Sequence, residues 1–145
     1  MDNGQILMSL HRPRLMEIIR RDPRYALEAY EFVFEALDYT HEMLGRPSAD
    51  PAAGEEPGPE HHVTGQELVH GIRALALREF GRMARTVFRL WGVNRTDDFG
   101  EIVFNLVESK LMSKTSEDSR EHFRGVFDLD EALVQGYRIQ MDEGD

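Results

Sequence analysis

The stretch TGQELVHGIRALALREFGRMARTVFRLW, residues 64–91, decides the predicted fold. It opens with a capping-box pattern, in which Thr64 is the N-cap and Glu67 follows three positions later. Apolar side chains then recur at three- and four-residue steps, as on one face of an amphipathic helix. This stripe comprises Leu68, Ile72, Leu75, Ala76, Phe80, Met83, Ala84, Val87 and Trp91. Because the stripe keeps its phase through Gly81, we favour one long helix weakened there over two helices with a break. Gly92 fits the left-handed residue that ends such a helix.

The residues before this stretch predict two helices. Apolar residues around Ile18 indicate a short first helix. Asp22 and Pro23 are typical of a helix start, with the aspartate as N-cap and the proline at the first helical position. An apolar face opposite a glutamate-rich face then predicts an amphipathic helix over about residues 23–44.

The residues after the stretch predict three more helices. Thr96 is placed to cap the first, with Asp97 and Asp98 in its first turn near the positive end of the helix dipole. A short helix over about 115–123 follows, and Asp128 marks the start of the last one. No segment alternates convincingly with the period of a β-strand.

A segment rich in proline, glycine and acidic residues separates the two helical parts. Residues 45–63 contain four of the six prolines and four acidic side chains, with little that is apolar enough to pack. We interpret this segment as a flexible, solvated linker or loop. The chain of 145 residues is near the usual size of one domain. The predicted fold is therefore all-α: residues 1–145 form a single compact orthogonal bundle of five or six helices with a long acidic Pro/Gly-rich loop.

Composition excludes several classes of function. The sequence has no cysteine, which rules out disulfides and thiolate chemistry within it. Its apolar runs are too short to cross a membrane, and its start lacks the pattern of a secretory signal. We therefore expect a soluble, cytoplasmic protein with no membrane partner. The net charge of −10 also argues against a general nucleic-acid binder, because affinity for phosphate depends on a basic surface.

Charge is distributed unevenly along the chain. Residues 66–95 carry six arginines against two glutamates, whereas residues 96–145 carry 13 acidic and five basic side chains. On the predicted long helix, one polar face carries Arg73, Arg78, Arg82, Arg85 and Arg89. Two interpretations stay open. These arginines either pair internally with the acidic segment or form a docking face for a partner.

Metal-binding and catalytic patterns are weak. Glu67 and His70 have the Glu-x-x-His spacing of carboxylate-bridged helical sites, with Glu101 or His122 as further candidate ligands. The sequence lacks the second Glu-x-x-His pair that such sites need. It also contains no G-x-S-x-G motif, phosphate loop or H-E-x-x-H motif. We therefore assign no catalytic residue and no cofactor, and we favour a protein that is not an enzyme.

Several segments together resemble a known family. They are Asp22 to Tyr25, Trp91 to Val93, Thr96 to Glu108 and Leu111 to Thr115. These residues are similar to a small family of bacterial proteins of unknown function, found mainly in planctomycetes and verrucomicrobia. The resemblance covers nearly the whole chain except the linker. It implies a bacterial cytoplasmic protein, and it carries over no catalytic residues because the family has no assigned activity.

The leading hypothesis is a non-enzymatic protein–protein interaction module or small assembly subunit that docks through the arginine face. One alternative is a metal-binding protein or metal-dependent enzyme that uses Glu67 and His70. Another is a factor associated with RNA or the ribosome through the same arginines. A homodimer is a further expectation, because several apolar faces are wide for a domain of this size.

Overall fold

The computed structural model describes residues 3–45, 63–112 and 120–135. Within these ranges the chain is mostly helical and contains no strand, which confirms the all-α prediction. The α-helices are α1 (Asn3–Arg21), α2 (Leu27–Leu44), α3 (Gly65–Phe80), α4 (Ala84–Leu90) and α5 (Thr96–Glu108). Short turns of 3-10 helix span Gly81–Met83 and Arg120–Phe123, and a π-helical turn spans Glu131–Gln135.

Some predicted features lie outside the described residues. These are almost all of the predicted linker, the start of the helix predicted at 115–123, and Gly136, the predicted end of the last helix. None of the described helices is long and apolar enough to cross a membrane.

The start of α2 differs from its prediction. The first helix continues to Arg21, and residues 22–26 then form a turn before α2 begins at Leu27. Asp22 does not cap α2, because its carboxylate accepts hydrogen bonds from Arg24 Nε at 2.8 Å and Nη2 at 2.7 Å. The predicted helix start at Asp22 and Pro23 is therefore wrong, and α1 is 19 residues long rather than short.

Helices α2 and α3 pack closely at one point. Gly71 of α3 lies against Thr40 of α2, and both residues are buried. A Cβ atom at Gly71 would collide with Thr40 Oγ1. The hydroxyl of Thr40 donates to Ala36 O at 2.6 Å, so this polar group is satisfied within its own helix. A glycine is required here because any side chain would push the two helices apart.

The capping box of α3 is confirmed. Thr64 N donates to Glu67 Oε1 at 3.0 Å, and Glu67 N donates to Thr64 Oγ1 at 3.1 Å. The predicted long helix is wrong, because α3 ends at Phe80 and a 3-10 turn separates it from α4. Gly81 has φ 55° and ψ −132°, a conformation that favours glycine and interrupts the helix. Met83, predicted on the apolar stripe, is consequently 55% exposed.

The end of α4 meets the turn before α2. Gly92 has φ 89°, which confirms it as the left-handed residue after the helix. Ala26 N donates to Trp91 O at 3.1 Å. A Cβ atom at Gly92 would collide with Arg24 O. This close approach joins residues 22–26 to the end of α4.

The start of α5 is held by Asp98 rather than by Thr96. Asp98 Oδ2 accepts from Asn94 N at 2.8 Å and from Arg95 N at 3.0 Å. Thr96 is the first residue of α5, and its hydroxyl accepts from Val126 N at 3.1 Å. The predicted cap at Thr96 is therefore wrong, because its side chain binds the backbone of Val126 instead.

An aromatic cluster fills the core where α2, α3, α4 and α5 meet. The Phe32 ring centroid lies 5.6 Å from that of Phe80, 5.7 Å from Phe88 and 5.4 Å from Trp91. Phe99 of α5 contacts Phe88 edge-on at 5.2 Å. These distances are those of favourable aromatic pairs. The apolar stripe of residues 68–91 is thus partly covered by other helices of the same chain.

We expect Gly71→Ala to lower the free energy of unfolding by about 1–3 kcal/mol through overpacking against Thr40. Urea denaturation measures this loss. The matched background is Thr40→Ala, in which the colliding hydroxyl is absent and the cost of Gly71→Ala should fall. An equal cost in both backgrounds would contradict the contact.

Candidate interaction surface

Two of the five arginines of the predicted face are turned into the protein. The Arg85 side chain is 12% exposed, and its Nε donates to Asp130 Oδ1 at 2.7 Å. Its Nη1 donates to Val93 O at 3.2 Å. Arg73 Nε donates to Ala132 O at 3.3 Å. These two arginines hold residues 130–132 against α3 and α4. Arg85 pairs with an acidic side chain, as the internal-pairing interpretation expects, whereas Arg73 binds a backbone carbonyl.

Arg78 is exposed to solvent but still contacts a neighbouring helix. Its guanidinium lies over the Tyr39 ring of α2, with Cζ 5.9 Å from the centroid. This separation is at the outer limit of a cation–π interaction. Arg78 is an exposed residue, so the contact helps to seal the α2–α3 junction without removing its charge from water.

The remaining two arginines, Arg82 and Arg89, project into solvent. Both are exposed, and neither has an ion-pair or hydrogen-bond partner among the described residues. Their neighbours on the same side at helical spacing are Thr86, Met83 and Leu90, and Leu90 is 78% exposed. We call these five residues, 82, 83, 86, 89 and 90, the α4 face. It combines two unpaired cations with two exposed apolar side chains.

Three of the four candidate metal ligands make structural contacts with other side chains or backbone groups. Glu67 belongs to the capping box, and the exposed His70 packs on Phe127 with centroids 5.5 Å apart. Glu101 pairs with Arg24 at 3.5 Å and with Arg120 at 3.6 Å. His122 is half-buried, and its Nδ1 has no hydrogen-bond partner within residues 3–45, 63–112 and 120–135. No group of three or more metal-capable side chains occurs in the part of the chain that the structure describes.

A polar network that sequence reasoning missed joins the turn at 22–25 to α5. Asn105 Nδ2 donates to both Asp22 Oδ2 and Tyr30 Oη at 3.0 Å. Tyr25 Oη donates to Asp98 Oδ1 at 2.6 Å. The network joins residues 73 to 83 positions apart in sequence. Two of the segments that carry the family resemblance therefore meet here and stabilise each other.

Protonation states within the network follow from these contacts. The hydrogen bonds from Arg24 and then Asn105 hold the pKa of Asp22 well below its usual range, against the opposing effect of burial. Burial raises the pKa of Tyr25, and the hydrogen bond to Asp98 raises it further. Burial also raises the pKa of Tyr30. At neutral pH Asp22 is therefore ionised and both tyrosines keep their protons. Asp22 is thus a charged acceptor for Asn105, and the protonated Tyr25 is a donor to Asp98.

Comparison with known proteins gives no family assignment: no protein-family model, curated protein or solved structure matches the chain. The resemblance to the planctomycete and verrucomicrobial family therefore stays a prediction.

We expect the inward and outward arginines to differ in their effect on stability. Arg85→Met should lower the free energy of unfolding by about 1–3 kcal/mol, because it leaves the buried carbonyl of Val93 without its donor. Arg82→Met is the matched control and should change stability by less than about 0.5 kcal/mol. Asp130→Asn should cost less than about 1 kcal/mol, since Asp130 is 67% exposed. Equal losses of stability for Arg82→Met and Arg85→Met in urea denaturation would contradict the division into inward and outward arginines.

We also expect Asp22 to contribute to acid unfolding. Its pKa is depressed in the folded state, so its contribution is fully present above the unfolded value of about 3.9. The contribution is lost as pH falls below that value. Asp22→Asn should cost about 1 kcal/mol at pH 7 and flatten the fall in stability between about pH 4 and pH 2. Thermal unfolding across this range measures both effects, and an unchanged acid limb would contradict them.

Proposed function

We propose that the protein is a non-enzymatic interaction module, a small assembly subunit, that docks an acidic and amphipathic segment of another protein on the α4 face. The observation that carries this proposal is the composition of that face. Arg82 and Arg89 are exposed cations without an ion-pair partner among the described residues, and they lie beside the exposed apolar side chains of Met83 and Leu90. We place this module in the cytoplasm of a bacterium, as a single compact bundle.

An acidic partner fits the charges of this face. A carboxylate can bind a guanidinium fork with two parallel hydrogen bonds, which is stronger and more directional than its contact with an ammonium group. The apolar part of the face suits a partner segment that presents leucine-like side chains between its acidic ones. Arginine is also enriched at the centres of protein interfaces, where its stem packs and its head group pairs.

A second copy of this chain fits the same face less well. In a two-fold symmetric dimer the same patch lies on both sides of the interface. Four arginines would then lie in one interface with no acidic residue of the α4 face to pair with them, and like charges brought together across an interface are costly. The face therefore favours a different protein over self-association, and light scattering distinguishes the two.

The other three arginines of the predicted face make contacts within the fold instead of belonging to the α4 face. Arg73 and Arg85 bind residues 130–132, and the guanidinium of Arg78 lies over the ring of Tyr39. Substituting all five arginines together would therefore mix loss of binding with loss of folding. RNA is a less suitable partner, because affinity for RNA grows with the number of phosphates neutralised and two exposed cations neutralise few.

The test is site-specific photo-crosslinking from Thr86, the exposed residue between Arg82 and Arg89. A photoreactive amino acid at position 86 should capture one specific protein in cells that express the natural partners. The crosslinked segment should be acidic and amphipathic, and its capture should survive ribonuclease treatment. Arg82→Glu combined with Arg89→Glu should abolish the crosslink, because the charge of the face is reversed while no described intramolecular contact is broken.

The matched control places the same photoreactive residue at Glu28, an exposed position on α2 outside the α4 face. It should not capture the same protein. Adducts at position 86 that match those at position 28, or that persist in the double charge reversal, would overturn the proposal. Capture that ribonuclease removes would instead favour the RNA-associated alternative, and capture of this chain alone would favour a dimer.

A further inference from the structure

A cleft with a volume of about 440 Å³, lined by charged and polar residues, lies where α1 approaches the end of α5. Its wall comes from the second half of α1 and from the last turn of α5. The residues that line it are Arg14, Glu17, Arg20, Arg21, Glu108 and Ser109. The cleft shares no residue with the α4 face, so an inference about it stands independently of the proposed docking function.

The charged side chains of this cleft do not form ion pairs with one another. Glu17 is three or four positions from each of the three arginines, a spacing that permits ion pairs along a helix. No such pair forms within 4 Å, and the described ion pair of α1 instead joins Arg12 to Glu31 outside the cleft. Arg21 Nη2 donates a hydrogen bond to Ser109 Oγ at 3.2 Å, which joins the two sides of the cleft. In the part of the chain that the structure describes, the three guanidinium groups and two carboxylates of the cleft therefore make no ion pair, and Arg21 alone has a hydrogen-bond partner.

We infer that this cleft binds a small molecule that carries an oxyanion at one end and hydroxyl or ammonium donors at the other. The guanidinium groups of Arg14, Arg20 and Arg21 suit a carboxylate or a phosphate. The carboxylates of Glu17 and Glu108 accept hydrogen bonds and repel a second anion. The ligand must therefore present donors to them. The volume is at the small end of the range for ligand pockets, about 300–1,000 Å³, and fits a metabolite of amino-acid or sugar-phosphate size.

The geometry also assigns a role to Ser109. Its hydroxyl accepts a hydrogen bond from Arg21, which orients the guanidinium across the cleft. The proton of that hydroxyl remains available for the oxyanion. Ser109 is thus a positioning residue, and Ser109→Ala should weaken binding less than loss of Arg21 itself.

The experiment is a titration of the isotope-labelled full chain, followed through the arginine Nε–H signals in NMR spectra. Inorganic phosphate and acetate test the oxyanion alone. Glycerol 3-phosphate and L-serine add the donors and separate a phosphate ligand from a carboxylate one. At least one donor-bearing probe should shift the signals of Arg14, Arg20 and Arg21 saturably and bind at least about tenfold more tightly than its bare oxyanion, a gain of about 1.4 kcal/mol.

The variants make the inference falsifiable. Arg21→Gln should weaken binding about tenfold or more, whereas Arg12→Gln, on the same helix outside the cleft, should leave it unchanged. Glu108→Gln should weaken the donor-bearing probe and strengthen the bare oxyanion, because it removes an acceptor and a repelling charge together. The amide spectrum shows in each case that the variant is folded. Shifts that never saturate, or that are equal in the Arg12 and Arg21 variants, would overturn the inference.

Discussion

The backbone conformation of Gly81 is the constraint on which the rest of the arrangement depends. With φ 55° and ψ −132°, this residue ends α3 and lets the chain turn before α4 begins. Because of this break, Phe80, Phe88 and Trp91 can all contact Phe32, while Met83 leaves the apolar stripe and becomes exposed. The same break sends Arg85 inward to Asp130 and leaves Arg82 and Arg89 in solvent. After Gly81, Arg85 thus faces the rest of the fold, whereas Arg82 and Arg89 on either side of it in sequence face solvent.

The polar contacts of this protein divide in the same way between scaffold and surface. Asp22, Arg24, Asn105 and the two tyrosines join the chain before α2 to α5, and their protonation states are fixed at neutral pH. The shifted pKa values of Asp22, Tyr25 and Tyr30 keep the aspartate ionised and the two tyrosines protonated at neutral pH, as their hydrogen bonds require. Charges that make no ion pair among the described residues lie elsewhere, on the α4 face and in the cleft between α1 and the end of α5. Both surfaces are suited to recognition, one of a protein segment and one of a small molecule.

The sequence predicted those features that local chemistry determines. The capping box of Thr64 and Glu67 and the turn at Gly92 were recoverable, because their hydrogen bonds or dihedral angles depend on neighbouring residues. The break at Gly81 was not, since an apolar stripe in continuous phase carries no information about one pair of backbone angles. The division of the arginines depends on where Asp130 and Ala132 fold back, 45 and 59 positions along the chain. The cleft could not be predicted from the sequence either, because its residues Arg21 and Ser109 are 88 positions apart.

The most direct test of the central role of Gly81 is the free energy of unfolding of Gly81→Ala. If the chain breaks at this residue as described, alanine must adopt a positive φ and the variant should lose about 1–3 kcal/mol. If residues 65–90 instead formed one continuous helix, alanine would replace a poor helix former with the best one. The variant would then gain about 0.5–1 kcal/mol. The sign of the change therefore decides between the two, and a stabilised variant would contradict the account.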